Sequence, residues 1–151
     1  MTESRLLSKL NAREWTIHTL VFLLLALVLT QKVWPAGDQL ILGETAPMDL
    51  PGTAWLYWWT GHAIGHGLNP FEGSWNYFPI GVSSLAQYNL LDALLASPLF
   101  QLLSPILAYN LTVVFFLTTT GLGMTWLCRI AGASHFGARL GGAGIICSSF
   151  L

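Results

Sequence analysis

Hydrophobic residues fall into three long runs separated by a mixed segment. The first run, residues 15–34, has no polar residue from Leu20 to Leu29 and carries a tryptophan at each end. About 20 helical residues cross a hydrocarbon core of ~30 Å, and tryptophan is typical of the membrane interface. The second run, residues 106–128, has no charged residue, and its threonines can bond to the preceding helical turn. The pattern predicts two complete transmembrane helices.

A third apolar run begins after Arg139 and occupies residues 140–151. Twelve residues are too few to cross a bilayer, so we expect this run to be the first part of a third transmembrane helix in a longer polypeptide. Glycines recur around it and suit close helix packing: Gly137, Gly141, Gly142 and Gly144.

The first run could also be a secretory signal peptide, because Arg5, Lys9 and Arg13 precede it. A signal peptide ends in a small-x-small cleavage site, whereas the residues here read TQKVWPAG. We therefore expect a retained membrane anchor.

Composition supports membrane chemistry and excludes one class of partner. The chain is 54% hydrophobic and 9% charged, against about 25% charged residues in soluble domains. Six basic residues against seven acidic ones leave no basic excess for a nucleic-acid surface. Cys128 and Cys147 lack CxxC spacing and are interpreted as buried thiols without a metal or a disulfide.

Charge distribution predicts the orientation. No lysine or arginine follows Lys32 until Arg129, whereas five of the seven acids lie in that interval. Basic residues favour the cytoplasmic side. Residues 1–14 and 129–139 are therefore predicted to be cytoplasmic and residues 35–105 extracytoplasmic.

The outer segment is predicted to contain interfacial helices. Over residues 53–66 a helix would place Trp55, Trp59, His62 and His66 on one face, and such a helix would lie in the membrane plane. Residues 83–105 are predicted to form one or two short helices broken at Pro98.

Several motifs together resemble a known family. They are WLYWW after an early outer-loop aspartate, NPF, WNYFPIG, LLDALLASPL and AYNLTVVFFLTTTGLGMTWL. Their order is similar to the front portion of large bacterial membrane proteins of the GT-C glycosyltransferase superfamily. The resemblance implies an all-α polytopic membrane fold located in the bacterial inner membrane. It also implies a transferase that moves a sugar from a polyprenyl-phosphate donor to an acceptor at the outer face.

The resemblance singles out Asp49 as the catalytic residue. An inverting transfer needs a carboxylate to take the proton of the attacking hydroxyl, and the family's first outer loop supplies it at this position. Taken alone, Asp49 is also well suited to a turn or a helix cap. Unlike better-studied members, this chain has no second acid beside Asp49.

Other candidate residues also have two interpretations. Trp55, Trp59, Trp75 and Tyr77 could line a donor-lipid groove or belong to an aromatic belt. His62 and His66 have the spacing of a helical pair that binds a divalent metal, but no third ligand is evident, and they could instead face lipid headgroups. The sequon Asn110-Leu111-Thr112 lies at the mouth of a span, where glycosylation is not expected.

Two other functional classes remain open, a scaffold or transporter subunit and a small membrane assembly factor. His18 and Lys32, near the ends of the first run, are the ionisable residues of the two runs, and an empty midplane favours surface chemistry over conduction. The expected partners are membrane lipid, a polyprenyl-phosphate sugar and further membrane helices, either from the same polypeptide or from others.

Overall fold

The computed structural model describes residues 12–43, 50–73, 82–83 and 90–148. In this part the chain is helical apart from one short ladder. The α-helices are α1 (Ala12–Leu29), α2 (Leu50–Gly65), α3 (Leu90–Leu102), α4 (Pro105–Ile130) and α5 (His135–Ser148), with a 3₁₀ turn at Trp34–Ala36. The strands β1 (Glu72–Gly73) and β2 (Val82–Ser83) pair antiparallel, Glu72 opposite Ser83. The predicted all-α class is confirmed.

The chain divides into two compact units. The first, called the helical unit, comprises residues 1–34 and 113–151; the second, called the aromatic unit, comprises residues 35–112. Helix α4 contributes its first two turns to the aromatic unit and the remainder to the helical unit.

The helical unit is packed around Phe22 of α1, which is fully buried. A Cβ atom added at Gly142 of α5 would lie 2.5 Å from the Phe22 ring and 2.6 Å from the carbonyl oxygen of Gly121 in α4. One added at Gly121 would lie 2.5 Å from Ile146. Glycine is therefore required where these helices meet, and the predicted packing role is confirmed at Gly142 and, against the Cys128 sulfur, at Gly141. A Cβ atom added at Gly144 would have no neighbour within 4 Å.

The aromatic unit packs α2 against α3. The rings of Tyr57 and Phe100 meet edge to face with centroids 5.8 Å apart. Gly61 allows the side chains of Ser97 and Gln101 to approach α2 closely, and Ala93 and Ala96 are buried on α3.

Helix α1 overlaps the predicted run of residues 15–34, but it begins three residues earlier than that run and also ends before it does. It ends at Leu29, and residues 30–33 form turns ahead of Pro35. The Thr30 hydroxyl donates to the carbonyl of Ala26 at 2.7 Å and accepts the Trp34 indole N–H at 3.1 Å. The hydroxyl of Thr30 thus bonds to a carbonyl of the last helical turn and to the ring of Trp34, just beyond the end of the helix.

The predicted break at Pro98 is wrong, because α3 continues through this residue. A proline in a helix leaves the carbonyl four residues earlier without its backbone donor. That carbonyl belongs to Leu94, and it accepts the Ser97 hydroxyl at 3.1 Å. The side chain thus replaces the missing bond one residue before the proline.

One described helix, α4, is long and apolar enough to cross a membrane. Three of its threonines donate to carbonyls four residues earlier, as predicted: Thr112, Thr118 and Thr119. The described residues support this one candidate span and leave the second predicted span, α1, as a proposal. Helix α5 begins at His135, within the segment 129–139 that is predicted to be a cytoplasmic turn.

Candidate apolar ligand site

Helix α2 forms where it was predicted and carries a continuous ladder of rings. Trp55 and Trp59 stack in parallel with centroids 5.7 Å apart, and Trp59 lies 5.8 Å from His62. His62 in turn stacks on Trp58 at 5.0 Å and on His66 at 4.2 Å. The predicted stripe of Trp55, Trp59, His62 and His66 is confirmed, with Trp58 as an additional member.

The two histidines take part in this stacking, and His66 also makes a hydrogen bond. His66 lies in the turn after α2, and its Nδ1 donates to the His62 carbonyl oxygen at 2.8 Å, leaving Nε2 as the available acceptor. Within residues 12–43, 50–73, 82–83 and 90–148 no group of three His, Cys, Asp or Glu could hold a metal ion. Metal binding by His62 and His66 therefore stays a prediction, for which the described residues supply no third ligand.

Trp59 anchors the aromatic unit from inside. Its side chain is 1% exposed, and its indole N–H donates to the carbonyl of Pro70 at 3.1 Å. Asn69 holds the same turn, accepting the N–H of Phe71 at 3.1 Å and donating to Glu72 at 3.0 Å. Trp59 therefore fixes the turn after α2, whereas its neighbours on the helix face a pocket.

The aromatic unit contains an apolar pocket of about 450 Å³, a size typical of small-ligand sites. Trp55 and Trp58 form one wall, and Pro105 and Ile106, at the first turn of α4, form another. The remaining lining comes from Ala54 and from the loop residues Gln39 and Ile41. Apart from the amide of Gln39 the lining side chains are hydrocarbon or aromatic, so the pocket fits an apolar ligand.

A single asparagine holds the loop that lines this pocket. Asn110 on α4 is fully buried; its oxygen accepts the N–H of Leu42 at 2.8 Å. Its amide nitrogen donates to the carbonyls of Leu40 at 2.7 Å and Gly37 at 3.0 Å. A buried amide with both hydrogens engaged cannot be glycosylated in the folded chain, which agrees with the sequence analysis of the sequon.

Asp92 lies in the first turn of α3, where a carboxylate is favoured by the helix N-terminus. Burial, followed by the negative charge of Asp92, raises the pKa of the Tyr57 phenol. The charge of Asp92 on α3 therefore acts on the phenol of Tyr57 on α2. Asp49, Trp75 and Tyr77, which were predicted as site residues, lie outside the described residues.

Sequence reasoning identified Trp55 but did not assign Trp58, Ile106 or the loop to a site. Trp58 carries a signal, being three residues from Trp55 on the same helical surface. The sequence around Gln39 and Ile41 does not predict that they line a pocket. Their loop is held by hydrogen bonds to Asn110, about 70 residues later in the chain.

Comparisons with known proteins do not assign a family: no family model, no curated protein and no solved structure matches the chain.

Proposed function

We propose that this chain is the membrane-embedded front part of a glycosyltransferase that takes its sugar from a polyprenyl-phosphate donor at the extracytoplasmic face. The observation that carries the proposal is the apolar pocket beside the first turn of α4. A polyprenyl chain is a long hydrocarbon, and the end of a membrane helix is where such a chain meets the phosphate-bearing interface.

Exposed apolar side chains support a membrane location. Helix α1 exposes Leu20, Leu24 and Val28 at 51 to 64%, and α4 exposes Phe115 and Leu127 at 47 and 56%. Apolar surface on two helices favours contact with lipid or with further helices of the polypeptide. On this basis α1 is proposed as a second span. The basic residues before it place its N-terminus in the cytoplasm in this proposal, and the family resemblance adds the bacterial inner membrane.

The roles divide between binding and chemistry. In this proposal Trp55 and Trp58 hold the polyprenyl chain, and Asp49 is the base that deprotonates the acceptor hydroxyl. The pocket accounts for recognition of the carrier lipid and leaves the sugar and the acceptor to be recognised elsewhere in the polypeptide.

Photocrosslinking in nanodiscs tests the binding role. A polyprenyl phosphate with a diazirine on its chain should label Trp55, Trp58 and Ile106, and an excess of unlabelled polyprenyl phosphate should suppress the labelling. Ile106→Trp should abolish it by filling the pocket, whereas Leu107→Trp, at the neighbouring non-lining position, should not. A diazirine phosphatidylcholine that labelled the same positions equally well would favour a scaffold seated in bulk lipid.

Turnover by the intact polypeptide tests the catalytic role. Asp49→Asn keeps the size and capping ability of the side chain but removes the base, so the rate should fall about 10²- to 10⁴-fold. Expression and thermal stability of the variant serve as controls. Normal turnover would leave Asp49 as a structural cap.

A further inference from the structure

We propose that Asn110 is a positioning residue that makes the pocket of the aromatic unit a site for a hydrocarbon chain, by fixing the loop of residues 37–42 as its wall. The inference rests on the proposed function, because that function supplies the chain. Asn110 itself is not among the residues that line the pocket, so it acts through the loop.

The hydrogen-bonding capacity of Asn110 is directed to this one loop. Both amide hydrogens and the carbonyl oxygen bond to loop backbone, at Gly37, Leu40 and Leu42. All three bonds are 3.0 Å or shorter, and the side chain is fully buried. The loop also turns on itself, with the N–H groups of Gln39 and Leu40 donating to the carbonyl of Ala36 at 2.9 and 2.8 Å.

The wall of a hydrocarbon site must have its backbone polar groups satisfied from within. An unpaired N–H or carbonyl facing an apolar ligand is costly, because hydrocarbon offers no hydrogen bond in return. Asn110 satisfies two carbonyls and one N–H of the loop from the protein side. The loop can then present Ile41 and the stem of Gln39 to the pocket.

Asn110 also links the loop to the helix that forms the facing wall. It lies four residues after Ile106 on α4, about one helical turn, so the residue that holds the loop and a residue that lines the pocket share one rigid element. The position of the loop relative to Pro105 and Ile106 is therefore set by direct hydrogen bonds to α4. Loss of that bond should widen the pocket on one side only.

The test compares two asparagines that each hold a loop of the aromatic unit. Asn110→Leu keeps the branched shape of the side chain and removes all three bonds. Asn69→Ala is the matched control, because Asn69 holds the turn at residues 69–72, which does not line the pocket. The probe is the diazirine polyprenyl phosphate in nanodiscs, with crosslinked positions mapped by mass spectrometry and affinity measured by competition.

In the wild-type chain the probe should label both walls, at Gln39 and Ile41 and at Trp55 and Trp58. Asn110→Leu should lose the loop labels, keep the tryptophan labels and bind about tenfold more weakly, whereas Asn69→Ala should keep the wild-type pattern and affinity. A merely structural role would lower all labels together. An unchanged pattern in Asn110→Leu would overturn the inference. A wild-type chain that shows no competed label at Trp55 or Trp58 would refute the proposed function instead, and the inference with it.

A measurement on the wild-type chain decides the matter if Asn110→Leu does not fold. The Leu42 amide is bonded to Asn110, and its hydrogen exchange reports opening of the loop. Saturation with unlabelled polyprenyl phosphate should slow exchange at Leu42 severalfold and leave Phe71, the amide held by Asn69, unchanged. Equal exchange at Leu42 with and without polyprenyl phosphate would contradict the inference.

Discussion

The helical unit and the aromatic unit bury their helices with different kinds of residue. In the helical unit, glycine backbone at positions 121 and 142 lies against the ring of Phe22. In the aromatic unit, large rings meet one another, as at Tyr57 and Phe100, and Asn110 ties an irregular loop to a helix. The first arrangement depends on the absence of side chains and the second on specific side chains and their hydrogen bonds.

This difference fits the environments proposed for the two units. Apolar helices in a membrane gain little from the hydrophobic effect when they pack together. Their association therefore depends on close approach of the backbones at small residues. A segment at the interface is partly hydrated and can use tryptophan rings and polar groups together. The two units should therefore respond differently to the same class of substitution.

The largest effect is expected for Gly142→Ala in the helical unit. Its Cβ would lie 2.5 to 2.6 Å from Phe22, the Thr125 hydroxyl and the Gly121 carbonyl, and a helix backbone cannot move aside cheaply. We expect destabilisation of about 1–3 kcal/mol. Thermal or denaturant unfolding in micelles measures it, with Gly144→Ala as control because that position is open. Equal stability of the two variants would contradict close packing at position 142.

Ser97→Ala in the aromatic unit should have an intermediate effect, because the Leu94 carbonyl would lose its donor. A loss of about 0.5–1.5 kcal/mol is expected. In a Pro98→Ala background the backbone N–H returns to Leu94, so the same change should cost almost nothing. A double-mutant cycle measures this coupling. A zero coupling energy would mean that Ser97 does not compensate for Pro98.

Gly61→Ala in the aromatic unit should cost less than Gly142→Ala. The nearest atom to its added Cβ is the Gln101 amide nitrogen at 2.7 Å, at the end of a flexible side chain. Relief by rotation of Gln101, together with the better helix propensity of alanine, should keep the net change within about 1 kcal/mol. Unfolding measured beside Gly142→Ala provides the comparison. A larger loss than at Gly142 would reverse the ordering of the two units.

The smallest effect concerns alkaline pH. Burial and the charge of Asp92 raise the pKa of Tyr57 above its ordinary value near 10, so the unfolded chain loses this proton first. The contribution of Tyr57 to stability is complete below pH 10 and is lost as the pH rises towards the folded pKa. Tyr57→Phe should remove that part of the pH dependence, and Asp92→Asn should reduce it. Absorbance titration of phenolate, by difference from Tyr57→Phe, measures the pKa. An unchanged value in Asp92→Asn would show that Asp92 does not act on Tyr57.

The helices and their surface patterns could be predicted from local sequence. Residues 53–66 and 106–128 have an apolar period and length that leave little alternative to helix, and the ring stripe on α2 follows from a spacing of three and four residues. The threonine bonds of α4 are local for the same reason, since each donor reaches a carbonyl one turn away. Such features depend on helix geometry and need no partner.

The end of α1 and the continuity of α3 could be predicted only in part from the sequence. Proline penalises a helix in both places, but the outcome depends on a neighbouring hydroxyl. The Thr30 hydroxyl bonds to the carbonyl of Ala26 at the point where α1 ends. The Ser97 hydroxyl bonds to the carbonyl of Leu94 in α3, which continues past Pro98. General rules for proline do not include that compensation.

Tertiary structure alone decided the pocket. The sequence determined an aromatic helix over residues 53–66 and an apolar helix over residues 106–128, and it placed Asn110 about one turn into the latter. It could not show that the amide of Asn110 would bond to backbone carbonyls some 70 residues earlier. A loop without a periodic pattern does not indicate which residue it will contact. The wall formed by Gln39 and Ile41 thus exists only once the chain has folded, since hydrogen bonds from a residue distant in sequence hold the loop against α4.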